Sequence, residues 1–180
     1  GDEKVSDIAE RYLLYRDKWI REIDENVHEI WSLLPHYTFH FHYTTKVDRM
    51  RPRESLLSYL REKRERDIQT GHTYIGPHID DFYWSVSIAG KEYHSAEYLS
   101  RWENKMILLG MKYIEVAFLA RTTEKKIVLL FDDIFSELDA YHARSILERF
   151  HDNQMCITAQ HIPSFLASRE DFTCIDIENP

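Results

Sequence analysis

From Val5 to Leu34, apolar residues recur at steps of three and four through Ile8, Tyr12, Tyr15, Trp19, Ile23, Val27 and Ile30, with no proline or glycine between them. That spacing predicts one long amphipathic helix with a single apolar stripe. A helix of this length needs something to cover its stripe, usually an antiparallel neighbour, and no such neighbour lies upstream. Either the chain pairs through this helix, or it begins partway through a larger protein. Pro35 ends the helix. Residues 37–45 then alternate like a strand, with Phe39 and Phe41 on one face and His40 and His42 on the other. Two histidines at strand spacing are metal-ligand candidates, but no third ligand accompanies them, so a polar sheet face is expected. Pro52 opens a second helix at its favoured first position, running through Leu56, Leu57 and Leu60 toward Ile68, with Gly71 as its stop.

Beyond Thr73 the texture changes. Tyr83 to Ile88 alternates, Ala89-Gly90 makes a turn, and Lys91 to His94 returns, which predicts a hairpin. Ser100 and Glu103 form a capping box for a helix reaching about Leu119. A continuous apolar run, Ile127 to Phe131, ends in Asp132 and Asp133. A helix over 140–150, a strand over 155–158, a short helix after Pro163 and a strand over 172–177 complete an alternating pattern. The fold class predicted is α/β, with a helical arm over 1–70 and an α/β region over 71–180.

Composition narrows the function classes. The 180 residues are 43% hydrophobic and 13% aromatic, with only 5 Gly and 5 Pro, enough for a real core and no disordered tract. A formal net charge of -8 argues against a broad DNA-gripping surface on this chain alone. Arg49, Arg51 and Arg53 cluster, as do Arg61, Lys63, Arg64 and Arg66. Glu62, Glu65 and Asp67 interleave with the second group, as on a solvated, ion-paired helix face. Cys156 and Cys174 have no CxxC spacing and are expected as free, buried thiols in a reducing compartment. With no run of about 18 apolar residues and no signal-peptide pattern, a cytoplasmic protein is expected, with no membrane partner.

The acids after the apolar run carry the candidate chemistry. A buried parallel strand ending in Asp132 and Asp133 places both carboxylates where open α/β sheets bind ligands. One reading is a core strand capped by a solvated Asp-Asp turn. The other is a Walker B strand, in which Asp132 holds Mg²⁺ and Asp133 polarises the attacking water. Ser136-Glu137-Leu138-Asp139, immediately after, favours the second.

Three motifs in order resemble the C-terminal half of the RecF family, DNA-repair members of the ABC/SMC-type ATPases. They are Arg66-Asp-Ile-Gln-Thr-Gly-His-Thr-Tyr-Ile-Gly-Pro-His-Ile-Asp-Asp81, Leu99-Ser-Arg-Trp-Glu103, and Leu129 to Asp139. The resemblance implies a fold: the C-terminal half of an ABC/SMC-type ATPase head, carrying hairpin, signature helix and Walker B over 71–180, with a lobe II-like helical arm over 1–70. It also implies roles. Asp132 is the metal acid and Asp133 the catalytic one. Ser100, Arg101, Trp102 and Glu103 form the signature that meets a nucleotide bound by the other subunit. Ser136, Glu137 and Asp139 belong to a D-loop at a dimer interface. Thr158, Gln160 and His161 occupy the switch region, where a polar loop is the plainer account of Gln160 and His161. ATP and Mg²⁺ are the implied cofactors of the complete protein. DNA, a second copy, RecO/RecR-like mediators and the replication clamp are the implied partners, and repair and the SOS response the implied setting.

Two departures limit this. No Gly-x-x-x-x-Gly-Lys-Ser/Thr loop occurs, so no element wraps a nucleotide's phosphates, and the chain by itself is expected neither to bind ATP tightly nor to hydrolyse it. The simplest account is a C-terminal part of a RecF-like protein, excised or separately encoded. Trp102 stands where the family has a glycine, and an indole there is expected to obstruct a nucleotide sandwich. Ile79 likewise replaces the arginine of the Gly-Pro-His-Arg block. The alternative function is a degenerate, non-catalytic RecF-like module that binds protein or DNA.

Overall fold

The computed structural model describes residues 2–167 and 169–176, with the side chain of Glu137 left aside. It forms two compact units, residues 1–99 and 100–180. The boundary falls at Leu99/Ser100 and not near residue 70, because the predicted hairpin pairs along its length with the strand before it.

In the first unit, α1 (Asp2–Glu25) and α2 (His28–Leu33) replace the single predicted helix. The break lies at Asn26, whose side-chain amide donates to the Glu22 carbonyl at 2.9 Å beside the Asn26 N–H at 3.2 Å. Burial on α1 also differs from expectation. Ser6, Ala9, Leu13, Ile20 and Ile23 are buried, while Ile8, Tyr12 and Tyr15 are exposed. Helix α1 packs on α3 (Pro52–Glu62), and Ala9, Leu13, Val47, Leu56 and Ile75 form one apolar cluster. The second predicted helix is likewise two, α3 and α4 (Arg64–Thr70), with Gly71 at φ 71° as the left-handed stop after α4.

Strand β1 (Thr38–Thr44) pairs antiparallel with β2 (Asp81–Ile88), which pairs antiparallel with β3 (Lys91–His94). The β2–β3 turn has positive φ at both Ala89 and Gly90, the twist-compatible hairpin geometry. Phe39, Trp84 and Val86 are buried. His42 lies 2.8 Å through its Nε2 from the Ser85 hydroxyl, and its ring stacks on Tyr83, which stacks in turn on His94. Among the described residues no group of three His, Cys, Asp or Glu side chains could hold a metal ion. A short helix, α5 (Ser95–Tyr98), follows.

The loop carrying Gly76 to Asp80 is pinned by Arg16, which donates to the Pro77 carbonyl at 2.8 Å and to Asp80 at 3.4 Å, while the Tyr43 phenol donates to the same carboxylate. Burial, reinforced by the hydrogen bond to Asp80, pushes the Tyr43 phenol up to about 12. Tyr43 in the unfolded chain ionises near its ordinary 10.0, so between pH 10 and 12 the unfolded form loses its proton first and the unit loses stability as pH rises. Unfolding curves across that window are expected to fall more steeply for the wild-type chain than for Tyr43→Phe. Equal slopes would contradict the shift.

The second unit begins with α6 (Arg101–Thr123), capped by Ser100 and Glu103 as the sequence predicts. Strand β4 (Val128–Phe131) runs parallel to β5 (Gln154–Ile157), joined through a 3-10 turn (Ile134–Glu137) and α7 (Ala140–Arg149). Helix α7 buries Ala143, Ile146 and Leu147, followed by Phe150, at helical spacing. Phe150 meets Tyr113 and Phe131 at ring separations of 5.6 and 5.5 Å. A short α8 (Ser164–Ala167) follows. Residues 172–176 form no strand, against expectation, and Ile177 lies outside the described residues. Both cysteines are free but exposed, not buried. Cys156 pairs with Leu130, itself 79% exposed, because one face of the β4–β5 pair is uncovered. Among the described residues, no helix is long and apolar enough to cross a membrane.

Candidate functional site

Asp132 and Asp133 follow directly on β4, at the carboxyl end of a parallel pair, where open α/β sheets bind their ligands. Thr158, the first residue past β5, ties them together. Its N–H donates to the Phe131 carbonyl at 2.9 Å, its hydroxyl donates to Asp132 Oδ1 at 2.6 Å, and the Asp133 N–H donates to that hydroxyl at 3.1 Å and to the Thr158 carbonyl at 3.2 Å. One β-branched hydroxyl side chain thus orients the first acid and holds the backbone of the second.

Asp133 has φ 48° and ψ 42°, a left-handed conformation that costs a non-glycine residue about 1–3 kcal/mol unless its surroundings impose it. The surroundings do. The Asp133 carbonyl accepts the Ser136 hydroxyl at 3.0 Å and Lys105 Nζ at 3.5 Å, and Ile134, next in sequence, is buried. The turn reverses the chain at the strand end and presents both acids to solvent-side ligands. Lys105 escaped sequence reasoning, since nothing in α6 marks it as a partner of a residue 28 positions on.

Past the turn, Asp139 caps α7. Its carboxylate accepts the His142 N–H and meets the His142 ring, both at 2.9 Å. The backbone bond, then the ring, hold the Asp139 carboxyl below its ordinary range. His142 in turn contacts the Trp102 indole, ring centres 4.8 Å apart. The indole is half-buried against α7. The Asp-x-x-His step at 139 and 142 is the signal that would have found the Asp139–His142 contact, being the spacing at which an N-cap acid meets the first turn.

Ser100 is engaged within its own helix start. Its N–H and hydroxyl donate to Glu103 Oε2 at 2.8 and 2.5 Å, and its hydroxyl lies 3.4 Å from the Glu103 N–H. The anion-attracting helix terminus is therefore already answered by a carboxylate. Arg101 is exposed. Gln160 and His161 are exposed in the loop after β5, and His161 lines an open cavity of about 300 Å³ with Phe135, Pro163 and Phe165. The side chain of Glu137 lies outside the described residues.

A single exposed carboxylate, Asp132, suits Mg²⁺, which takes one or two protein carboxylates and fills its octahedron with phosphate oxygens and water. With Oδ1 accepting from Thr158, Oδ2 is the oxygen that would meet the ion. The arginine clusters are engaged elsewhere. Arg49 pairs with Asp17 at 2.6 Å, Arg53 with Asp7 at 2.7 Å and Arg64 with Asp2 at 3.6 Å, so much of their charge is balanced by α1.

No family model matches the chain. The DNA replication and repair protein RecF of Streptococcus agalactiae is 28% identical over 157 residues, covering 84% of this chain and 41% of that protein. RecF of Clostridium acetobutylicum is 29% identical over 184 residues, covering 99% of this chain and 49% of that protein. The solved structure of the recombination mediator protein RecF-ATP in the RecFOR pathway superposes with a TM-score of 0.69 at 25% identity, over 91% of this chain and 44% of that one. The chain thus spans less than half the length of the relatives it matches. Its fold is part of an ABC/SMC-type ATPase, and the chain is homologous to the C-terminal part of RecF.

Proposed function

We propose that this chain supplies the Walker B, signature and D-loop half of a RecF-type ATPase head, whose nucleotide site is completed by a phosphate-loop half. The observation that carries the reading is the Asp132–Thr158–Asp133 arrangement at the end of a parallel strand pair. Bound Mg²⁺ would neutralise charge on the phosphates of ATP, and Asp132 would hold it. Asp133 accepts a hydrogen bond from the attacking water and orients it. Thr158 keeps the two acids in register, and the Ser136–Asp139 segment meets a second copy. In the complete protein, ATP-dependent dimerisation then clamps DNA during replication and repair in the cytoplasm, with RecO/RecR-like mediators and the SOS response as its setting.

The open sheet supports the complementation. Two parallel strands are too few for an independent sheet, and parallel sheets are covered on both faces. Here Val128, Leu130 and Cys156 share an uncovered face of the β4–β5 pair. Leu130→Asp is therefore expected to leave the thermal unfolding of the isolated chain nearly unchanged, yet to abolish its co-purification with a phosphate-loop half of RecF. Retained association would remove the support for a completed head.

A second reading rests on a specific observation. Glu103 occupies the helix terminus that would face a γ-phosphate, and Trp102 stands at the close-approach position. A carboxylate there repels phosphate, which favours a head that pairs without signature-assisted hydrolysis. Glu103→Gln removes the charge and keeps the capping geometry. Faster turnover in that variant favours the catalytic reading with a tuned signature, and no turnover in either protein favours the binding module.

A further inference from the structure

Three side chains of the second unit link the turn after β4 to the start of α6. Asp139 ends that turn and caps α7, His142 stands at the third position of α7, and Trp102 at the second position of α6. The His142 N–H donates to Asp139 Oδ1 at 2.9 Å, so the helix cap is independent of the His142 side chain. The ring adds a separate bond. An ionised carboxylate only accepts, so His142 Nδ1 carries the hydrogen it shares with Asp139 Oδ2 at 2.9 Å. That bond sets the tautomer and the orientation of the imidazole.

Two further rings meet the oriented imidazole, whose side chain is only 20% exposed. Tyr141 approaches it at 88° with centres 5.2 Å apart, and the Trp102 indole lies against it at 42° and 4.8 Å. An indole in the first turn of a helix has two ways to go. It can lie against a neighbouring helix, or it can swing over the helix start, where N–H groups lack helical partners and an anion would approach. The contact with His142 selects the first. A ring pair of this kind is worth about two- to tenfold in an equilibrium.

We propose that His142 is a positioning residue for the nucleotide site. Fixed by Asp139, it parks the Trp102 indole against α7 and leaves the space at the start of α6 to a nucleotide carried by another copy. Turn and signature helix are thereby coupled within one copy through a single side chain. This role rests on the nucleotide reading above, and it explains how a tryptophan can stand where close approach is needed. The coupling uses contacts inside the second unit alone.

Two readouts test it. In the chain itself, the emission of Trp102 is the difference between the chain and its Trp102→Phe variant, and its quenching by acrylamide is measured. His142→Ala should raise that quenching at least about twofold, and His142→Phe, which keeps a ring there, should restore most of the protection. Thermal unfolding should move little in either, because the backbone cap is kept. In the protein joined to a phosphate-loop half, His142→Ala should raise the KM for Mg-ATP by about two- to tenfold with kcat little changed, and His142→Phe should bring it back. In a Trp102→Gly background the same change should leave KM where it was, since no indole remains to be held. Unchanged quenching overturns the proposal whatever the turnover shows. So does an equal rise in KM without the indole, or a loss of folding in His142→Ala that Trp102→Gly does not repair, either of which makes His142 a structural residue of α7. Turnover with an unmoved KM overturns the positioning role alone. A joined wild-type protein that neither binds nor hydrolyses Mg-ATP overturns the nucleotide reading and this role with it.

Discussion

Asp133→Asn, made in a protein that joins this chain to a phosphate-loop half, is expected to lower ATP turnover by about 10²- to 10⁴-fold, the usual worth of a positioned acid–base group. The same protein should accumulate as an ATP-bound dimer, because the interface segments remain while hydrolysis stops. Asparagine is the informative choice. Asp133 sits in the left-handed region at φ 48°, which Asn and Asp tolerate better than other side chains, so the change removes charge and keeps the backbone. Asp133→Ala would mix lost chemistry with strain and could displace the Asp133 N–H from Thr158. Phosphate release and sedimentation measured together decide the matter. Turnover within a few-fold of wild type, with no added dimer, would leave Asp133 as a turn residue.

The largest stability effect is expected at Phe150. Its ring is 1% exposed and packs between Tyr113 of α6 and Phe131 of β4, so truncation opens a cavity where helix and sheet meet. Phe150→Ala should cost about 3–5 kcal/mol, a large share of what a unit of this size possesses. Urea unfolding followed by far-UV circular dichroism should show the second unit melting early while the first unit keeps its transition. A shift under about 1 kcal/mol would mean the unit can collapse around the gap and that the three rings are not its anchor.

Much of this fold is legible from residue pattern. Pro52 and Gly71 bracket a helical stretch, the Ser100/Glu103 box starts α6 where predicted, and positive φ at Ala89 and Gly90 closes the hairpin. What the pattern misstates has local causes. Apolar periodicity assigns the core face of α1 to large residues such as Ile8, Tyr12 and Tyr15, yet the buried face includes Ser6 and Ala9, which carry little hydrophobic signal. Helix α1 ends at Glu25, just before Asn26 folds its side-chain amide back onto the Glu22 carbonyl, a feature invisible to a stripe count. The cysteines are exposed against expectation, and for Cys156 the cause is a strand that looks buried by composition but lies in a sheet open on one side.

The candidate site divides in the same way. An apolar run ending in two acids is enough to place Asp132 and Asp133 at a sheet's carboxyl end. The Thr158 bridge between them is a long-range contact across a parallel pair, and strand register alone creates it. The turn of the Trp102 indole onto His142 likewise depends on where α7 lies beside α6, which no local motif specifies.

The most direct test of a head completed by a phosphate-loop half is equilibrium binding of Mg-ATP by calorimetry, to the isolated chain and to the chain joined with that half. The isolated chain is predicted to show no binding tighter than about 1 mM, a level that already corresponds to only about 4 kcal/mol. The joined protein is predicted to bind in the micromolar range and to lose that affinity with Asp132→Ala. Micromolar binding by the isolated chain, or none by the joined protein, would contradict the account.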